Sequence, residues 1–140
     1  MKTAAQLVDE ANALVRTVSP KEAHDAARSG ETVLVDIRDI RELARTGRVP
    51  DAVHAPRGML EFWFDPESEY HKPVFAQPDR TFVLFCAAAG RSALAARSLQ
   101  EMGFGNIAHM EGGFAQWRDE GLPVDAPVDG PVESVESGDK

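Results

Sequence analysis

At 140 residues, 43% hydrophobic and 27% charged, the chain is sized for one domain whose core needs no disulfide or metal staple. Its single cysteine, Cys86, excludes an internal disulfide and any multi-cysteine zinc or iron–sulfur site, and points to a reducing compartment. The net charge of −8 disfavours nucleic acid and anionic membrane as partners. Half of it falls in residues 125–140, where Asp125, Asp129, Glu133, Glu136 and Asp139 stand against Lys140. The body is therefore only mildly acidic and can hold an anion site. No apolar run approaches the roughly 20 residues of a membrane span. The start of the chain, with Gln6, Asp9 and Glu10 close behind Lys2, does not read as a signal peptide. A cytoplasmic location is the expectation.

Ala4, Leu7, Val8, Ala11, Leu14 and Val15 recur at helical spacing and predict an amphipathic N-terminal helix within residues 1–16. Its apolar stripe must cover either the domain itself or a second subunit, so a homodimer through this helix is one expectation. Ser19, Pro20 and Glu22 then write a capping box with proline at the first helical position, for a helix that ends near Ser29 at Gly30. Thr32 to Asp36 is a short apolar run that reads as a strand buried on both faces. Residues 39–46 suggest a short helix, and Val53 to Ala55 a short strand. The stretch 57–79 mixes Phe62, Trp63, Phe64, Tyr70 and Phe75 with three prolines, which predicts an aromatic-rich loop with helical turns. Thr81 to Phe85 is the clearest strand. A helix over 91–102, a strand over Ile107 to Met110 and a helix over Phe114 to Glu120 follow. From 124 onward proline, glycine and acids dominate, and an acidic, disordered tail over 124–140 is expected.

Strand and helix in alternation imply a mostly parallel sheet covered on both faces, with ligands beyond the carboxyl ends of the strands. That rule selects Asp36 to Arg38, His54 to Gly58, Cys86 to Ser92 and Glu111 to Phe114. Of these, Cys86-Ala87-Ala88-Ala89-Gly90-Arg91-Ser92 carries the chemistry. Small side chains let the backbone curl so that its N–H groups converge, and the start of a helix adds partial positive charge. A cysteine at such a mouth has its thiolate favoured, and Arg91 supplies a fixed charge with donors for an anion. A small buried hydrophobe at a strand end is the plain alternative for a free cysteine. The convergence of strand, small-residue loop, arginine and helix start argues against it. No histidine and aspartate lie nearby in sequence for a protease-type site.

Four segments in order resemble the rhodanese, or sulfurtransferase, domain over about residues 17–123. They are Val35-Asp36-Ile37-Arg38, Gly47-Arg48-Val49-Pro50-Asp51-Ala52-Val53-His54, Cys86 to Ser92, and Glu111-Gly112-Gly113-Phe114-Ala115-Gln116-Trp117. The resemblance implies a three-layer α/β/α domain with a five-stranded parallel sheet. It also implies a Cys86 that cycles between thiolate and persulfide, taking sulfur from a donor such as thiosulfate and passing it to cyanide or a thiol. Backbone N–H groups of Ala87, Ala88, Ala89, Gly90 and Arg91 would cradle the persulfide, and neither metal nor organic cofactor is implied. From Cys86 to Arg91 the loop spans six residues, as in sulfurtransferases; related phosphatases and arsenate reductases use one more. A module that relays sulfur to a protein partner is the second reading, and a cysteine phosphatase the third.

The chain departs from the family pattern at two places. Ala89 stands where the loop commonly has glycine, which would cost about 1 kcal/mol if the position needs positive φ. The usual glycine-histidine-isoleucine-proline-glycine segment reads Gly47 to Asp51 here. Asp36 and Arg38 are expected to close a structural salt bridge, and with Ser92 to support the loop. Arg57 is a candidate to bind a donor's sulfonate by paired hydrogen bonds, with a surface arginine over an aromatic cluster as the equal alternative. His24, His71 and His109 show no ligand spacing and are expected on the surface or hydrogen-bonded in the core. Trp117 is expected in the core.

Overall fold

The computed structural model describes residues 1–127. Three helices begin in capping boxes that the sequence writes out. In α1 (Ala4–Leu14) Thr3 and Gln6 exchange side-chain and backbone bonds, in α2 (Pro20–Arg28) Ser19 and Glu22 do, and in α3 (Ile40–Thr46) Asp39 and Glu42 do. Between and after them run β1 (Arg16–Val18), β2 (Thr32–Asp36), β3 (Val53–His54), α4 (Leu60–Phe64), β4 (Thr81–Phe85), α5 (Gly90–Glu101), β5 (Ile107–Met110) and α6 (Gly113–Asp119). The strands form one sheet in the order β1-β5-β4-β2-β3, every pair parallel.

Side-chain alternation sorts the strands' residues between two cores. Val33 and Val35 of β2 and Phe82 and Leu84 of β4 face Ala95, Ala96 and Leu99 of α5. Leu34, Val83, Phe85, Ala108 and Met110 face Ala23 of α2 and Phe114 and Trp117 of α6. The sheet is thus the middle of three layers, as the alternation of elements implies. The aromatic stretch 57–79 holds α4 between two 3₁₀ turns and builds the first core's outer wall. Phe64 stacks on Phe75 with centroids 4.4 Å apart and meets Phe82 edge-on at 5.3 Å.

Two features go beyond the sequence expectation. The fifth strand, β1, is three residues long with only Val18 buried, too little for a periodic signal. At the other end, the chain expected to lose order at 124 is held further. Trp117 Nε1 donates to the Pro123 carbonyl at 2.8 Å, and Arg48 and Asp125 exchange backbone bonds of 3.1 and 2.8 Å. The remainder of the expected tail, 128–140, lies outside the described residues. The helix α1 packs on its own domain: Ala11 is buried, and Gln100 Nε2 of α5 donates to the Leu14 carbonyl. Leu7 and Leu14 stay largely exposed. Among the described residues no helix is long and apolar enough to cross a membrane.

The turn before β3 carries a local conflict. Ala52 N donates to the Val49 carbonyl, which places Pro50 and Asp51 at the centre of a turn, and Asp51 sits at φ 66°. Proline then a left-handed residue is the pattern of a type II turn, whose second central position suits glycine. Replacing Asp51 by Gly is expected to raise unfolding free energy by about 0.5 kcal/mol, the relieved backbone strain less the entropy gained by the unfolded chain. Urea melts of the two proteins measure it.

Candidate active site

Cys86 is the first residue beyond β4, and alternation from Phe82 and Leu84 turns its side chain toward α5. It is 1% exposed. The chain then passes through Ala87 and Ala88 to Ala89, which precedes α5 and gives that helix no side-chain cap. The first N–H groups of a helix have no intrahelical acceptor, so this end offers unsaturated donors and partial positive charge beside the sulfur. Ala89 lies at φ −163°, which is extended backbone, so the strain foreseen for an alanine here does not arise. Gly90 has no positive φ either.

What holds the loop in this curl is α6. Phe114 N donates to the Cys86 carbonyl at 2.8 Å and Ala115 N to the Ala87 carbonyl at 3.0 Å. The two first-turn N–H groups of α6 thus bind two carbonyls of the loop and fix the orientation of its peptide planes. This needs contact closer than any side chain permits. A Cβ on Gly113, at φ +59°, would lie 2.1 Å from the Ala88 carbonyl oxygen and 2.4 Å from that of Cys86. The Gly112-Gly113 pair is therefore a fitting between α6 and the loop.

Arg91 follows on the exposed side of the loop. Its guanidinium grips both carboxylate oxygens of Glu42 at 2.8 and 2.9 Å and also reaches toward Cys86. The Glu42 carboxylate raises Arg91 further into permanent charge. In return the Arg91 bonds hold Glu42 below the usual carboxylate range. Glu42 also caps α3 through the Asp39 N–H, so one side chain ties α3 to the mouth of the loop. Nothing in the sequence pattern separates it from its capping role.

Asp36 and Arg38 form the structural pair that was expected, both almost wholly buried. Arg38 Nε and Nη2 bind the Asp36 carboxylate, Nη1 donates to Thr46 Oγ1 and Nη2 to the Gly47 carbonyl. The guanidinium carbon lies 4.1 Å from the centre of the Phe114 ring, so the pair braces the residue whose N–H holds Cys86. Arg57 is turned elsewhere: it pairs with Glu61 at 2.8 Å, and Glu61 also accepts from Ser98 of α5. Burial pushes the Glu61 carboxyl up, but its bonds to Arg57 and Ser98 outweigh this and hold it low. Among the described residues no hydrogen bond or ion pair joins the Arg57 side chain to the Cys86 loop. Trp63 packs against the first core and carries Lys72 over its ring.

Behind the sulfur lies His109, expected on the surface or hydrogen-bonded in the core and found buried. Ser92 Oγ is 3.7 Å from Cys86 Sγ and 3.0 Å from His109 Nδ1. His109 is paired in register with Leu84, so both it and Cys86 face α5. Its polar ring in the run Ile107-Ala108-His109-Met110, on a strand expected to be buried, was the available signal. Among the described residues no three His, Cys, Asp or Glu side chains are grouped to hold a metal.

Two substitutions test this framework. Asp36→Asn leaves the Arg38 charge buried without its partner and is expected to cost roughly 3–5 kcal/mol in a urea melt. Gly113→Ala forces the loop off α6 and is expected to cost at least about 2 kcal/mol, with faster hydrogen exchange at Phe114 and Ala115.

The chain matches the Rhodanese-like domain family over residues 19–120. It is similar to a sulfurtransferase of Allochromatium vinosum, 34% identical over 101 residues that cover 72% of this chain and 85% of that one. Among solved structures, a Rhodopseudomonas palustris protein of unknown function, described as a possible tyrosine phosphatase, superposes with TM-score 0.84. It is 46% identical and covers 89% of this chain and 96% of that one. The homodimeric polysulfide-sulfur transferase of Wolinella succinogenes gives TM-score 0.65 at 34% identity, covering 84% of this chain and 83% of that one. With a parallel five-stranded sheet, a cysteine loop running from its fourth strand into a helix, and a family match over most of its length, the chain belongs to the rhodanese-like domain family.

Proposed function

We propose that this protein is a single-domain sulfurtransferase in which Cys86 carries sulfane sulfur as a persulfide, with thiosulfate or a similar small donor. The observation that carries the reading is the six-residue run from a buried Cys86 to Arg91, ending on the uncapped N-terminus of α5. The sulfurtransferases among its relatives support it.

In this reading the Cys86 thiolate attacks the outer sulfur of thiosulfate. A Cys86 S–S bond forms, the S–S bond of the donor breaks, and sulfite leaves with that bond's electron pair. The persulfide keeps one negative charge. The helix N-terminus and the Arg91 guanidinium stabilise that charge as they stabilise the attacking thiolate and the anionic donor. An acceptor, cyanide or a thiolate, then attacks the outer sulfur, takes it, and returns Cys86 to thiolate. No redox partner is needed, because donor and acceptor exchange one neutral sulfur atom. A protein thiol is an equally balanced acceptor, so a sulfur relay to a partner uses the same step.

The description of the R. palustris protein raises a phosphatase reading for that protein. A tetrahedral oxyanion needs a wider cradle than one sulfur atom does, and related phosphatases have a loop one residue longer. The 1% exposure of Cys86 and the six-residue loop favour the smaller group.

The test is intact mass before and after excess thiosulfate, for the wild type and Cys86→Ser. The wild type is expected to gain about 32 Da, one sulfur, that cyanide removes, and the serine variant to gain nothing. A protein that gains no sulfur from thiosulfate, mercaptopyruvate or a low-molecular-weight persulfide, yet hydrolyses an aryl phosphate through Cys86, overturns the reading.

A further inference from the structure

The buried polar side chains behind Cys86 form a continuous line that the sulfur-transfer scheme does not use. Ser92 Oγ lies 3.7 Å from Cys86 Sγ, 3.0 Å from His109 Nδ1 and 3.1 Å from the Ala89 carbonyl. On the far side of the imidazole, His109 Nε2 is 2.8 Å from Asn12 Oδ1 and 3.2 Å from Thr17 Oγ1. Ser92 and His109 are 0% and 1% exposed, whereas Asn12 and Thr17 are at the surface. The line therefore runs from the sulfur through β5 to solvent, on α1 and β1.

Hydrogen counting gives the line a direction. An amide oxygen only accepts, so Nε2 carries the ring hydrogen and Nδ1 faces Ser92 as an acceptor. Ser92 has one hydrogen for three claimants: the Ala89 carbonyl, His109 Nδ1 and, once formed, the Cys86 thiolate. While the imidazole is neutral, Nδ1 competes for that hydrogen and the serine presents a lone pair to the thiol. Once Nδ1 is protonated, it donates to Ser92 Oγ and the serine hydrogen is free to serve the thiolate.

We propose that His109 is a positioning residue that accepts the Cys86 proton through Ser92, and that Asn12 on α1 holds the imidazole in the tautomer that can do so. The step is balanced: Cys86 Sγ–H passes its hydrogen to Ser92 Oγ while Ser92 passes its own to His109 Nδ1. It leaves a thiolate that accepts from Ser92 and an imidazolium that donates at both nitrogens. This deepens the sulfurtransferase reading and rests on it for the use of the thiolate. Burial pushes His109 down from its ordinary range, which keeps it neutral and available as an acceptor at neutral pH. The other charged side chains near the sulfur are held in ion pairs: Arg91 of α5 is bound to Glu42 of α3, and Asp36 and Arg38 are closed on each other. From α1, β1 and α6 the side chains and backbone that meet this line are uncharged: Asn12, Thr17, and the N–H groups of Phe114 and Ala115. The family match begins at residue 19, so Asn12 comes from a helix outside it.

The test follows the rate of alkylation by iodoacetamide against pH. Cys86 is the chain's one thiol, so the readout is unambiguous. Wild type, His109→Asn, Ser92→Ala, the double variant and Asn12→Leu are compared without any sulfur donor. His109→Asn keeps an acceptor near Ser92 but cannot take a proton. It is expected to move the midpoint of the profile upward by about one pH unit, with roughly tenfold slower alkylation below it. Ser92→Ala is expected to do the same, the double variant no more than either single, and Ser92→Thr to restore the midpoint. Asn12→Leu is expected to give a smaller upward shift. A folded His109→Asn whose profile overlays that of the wild type overturns the proposal, as does additivity of the two single variants. Should His109→Asn fail to fold, the surface variant Asn12→Leu decides, and an unmoved midpoint there rejects the line. Because alkylation needs no donor, an unmoved profile leaves sulfur transfer standing. A shifted profile in a protein that never gains sulfur rejects the transfer reading and leaves the line in place.

Discussion

The structure around the cysteine depends on one close approach, the start of α6 against the carbonyls of Cys86 and Ala87. Two N–H groups at a helix N-terminus are donors in need of partners, and here they find them on the loop itself. The effect is orientational. With its carbonyls engaged on one side, the loop is set with its peptide planes turned, and it leads directly into the N-terminus of α5, which has no side-chain cap. Gly113 makes the distance attainable, because a Cβ there would meet two carbonyl oxygens. The Asp36–Arg38 pair steadies the same junction from beneath, with the guanidinium over the Phe114 ring. Two helix N-termini thus meet one short loop, one binding its carbonyls and the other facing its thiol.

Charge around the site is arranged in closed pairs. Arg91 is paired with Glu42, Arg38 with Asp36 and Arg57 with Glu61. Of the three, only Arg91 reaches toward the sulfur, and it does so with its geometry set by a carboxylate that also caps α3. In the proposed reading an anionic donor would meet a cation whose position is fixed by another element, a less mobile arrangement than a solvated arginine on a four-bond stem. The acidic net charge of the chain does not conflict with the anionic donor proposed, because helix dipoles and one guanidinium act at short range.

Much of this was legible in the sequence, and the reasons differ by element. The helix starts were readable because Ser19-Pro20-Lys21-Glu22 states its own hydrogen bonds. The central strands were readable because Thr32–Asp36 and Thr81–Phe85 must be apolar on both faces. The loop was readable because strand, small residues, arginine and helix follow one another without interruption. What escaped depends on contacts distant in sequence. The polar ring of His109 on an apolar strand could be noticed, but its partners could not: it meets Ser92 across 17 residues and Asn12 across 97. Glu42 looks like a capping residue because it is one; its grip on Arg91, 49 residues away, exists only in the fold. β1 is too short to show a period, and Asp125 orders the chain past its expected limit through a bridge to Arg48. Arg57 was weighed for the site from its place after a strand, whereas its nearest carboxylate, one helical turn away, holds it at α5.

The sheet's two outer strands have a consequence of their own. An open parallel sheet exposes ladder groups along both rims, and a long flat rim invites a strand from another molecule. Here β1 has three residues and runs directly into Pro20, while β3 has two and follows the turn at Pro50. A visiting strand could form only one or two ladder bonds at either rim before meeting a turn or a proline. The brevity that hides these strands from sequence reading also blunts them against aggregation, so a sheet built from five parallel strands can stay exposed at its margins without recruiting a sixth.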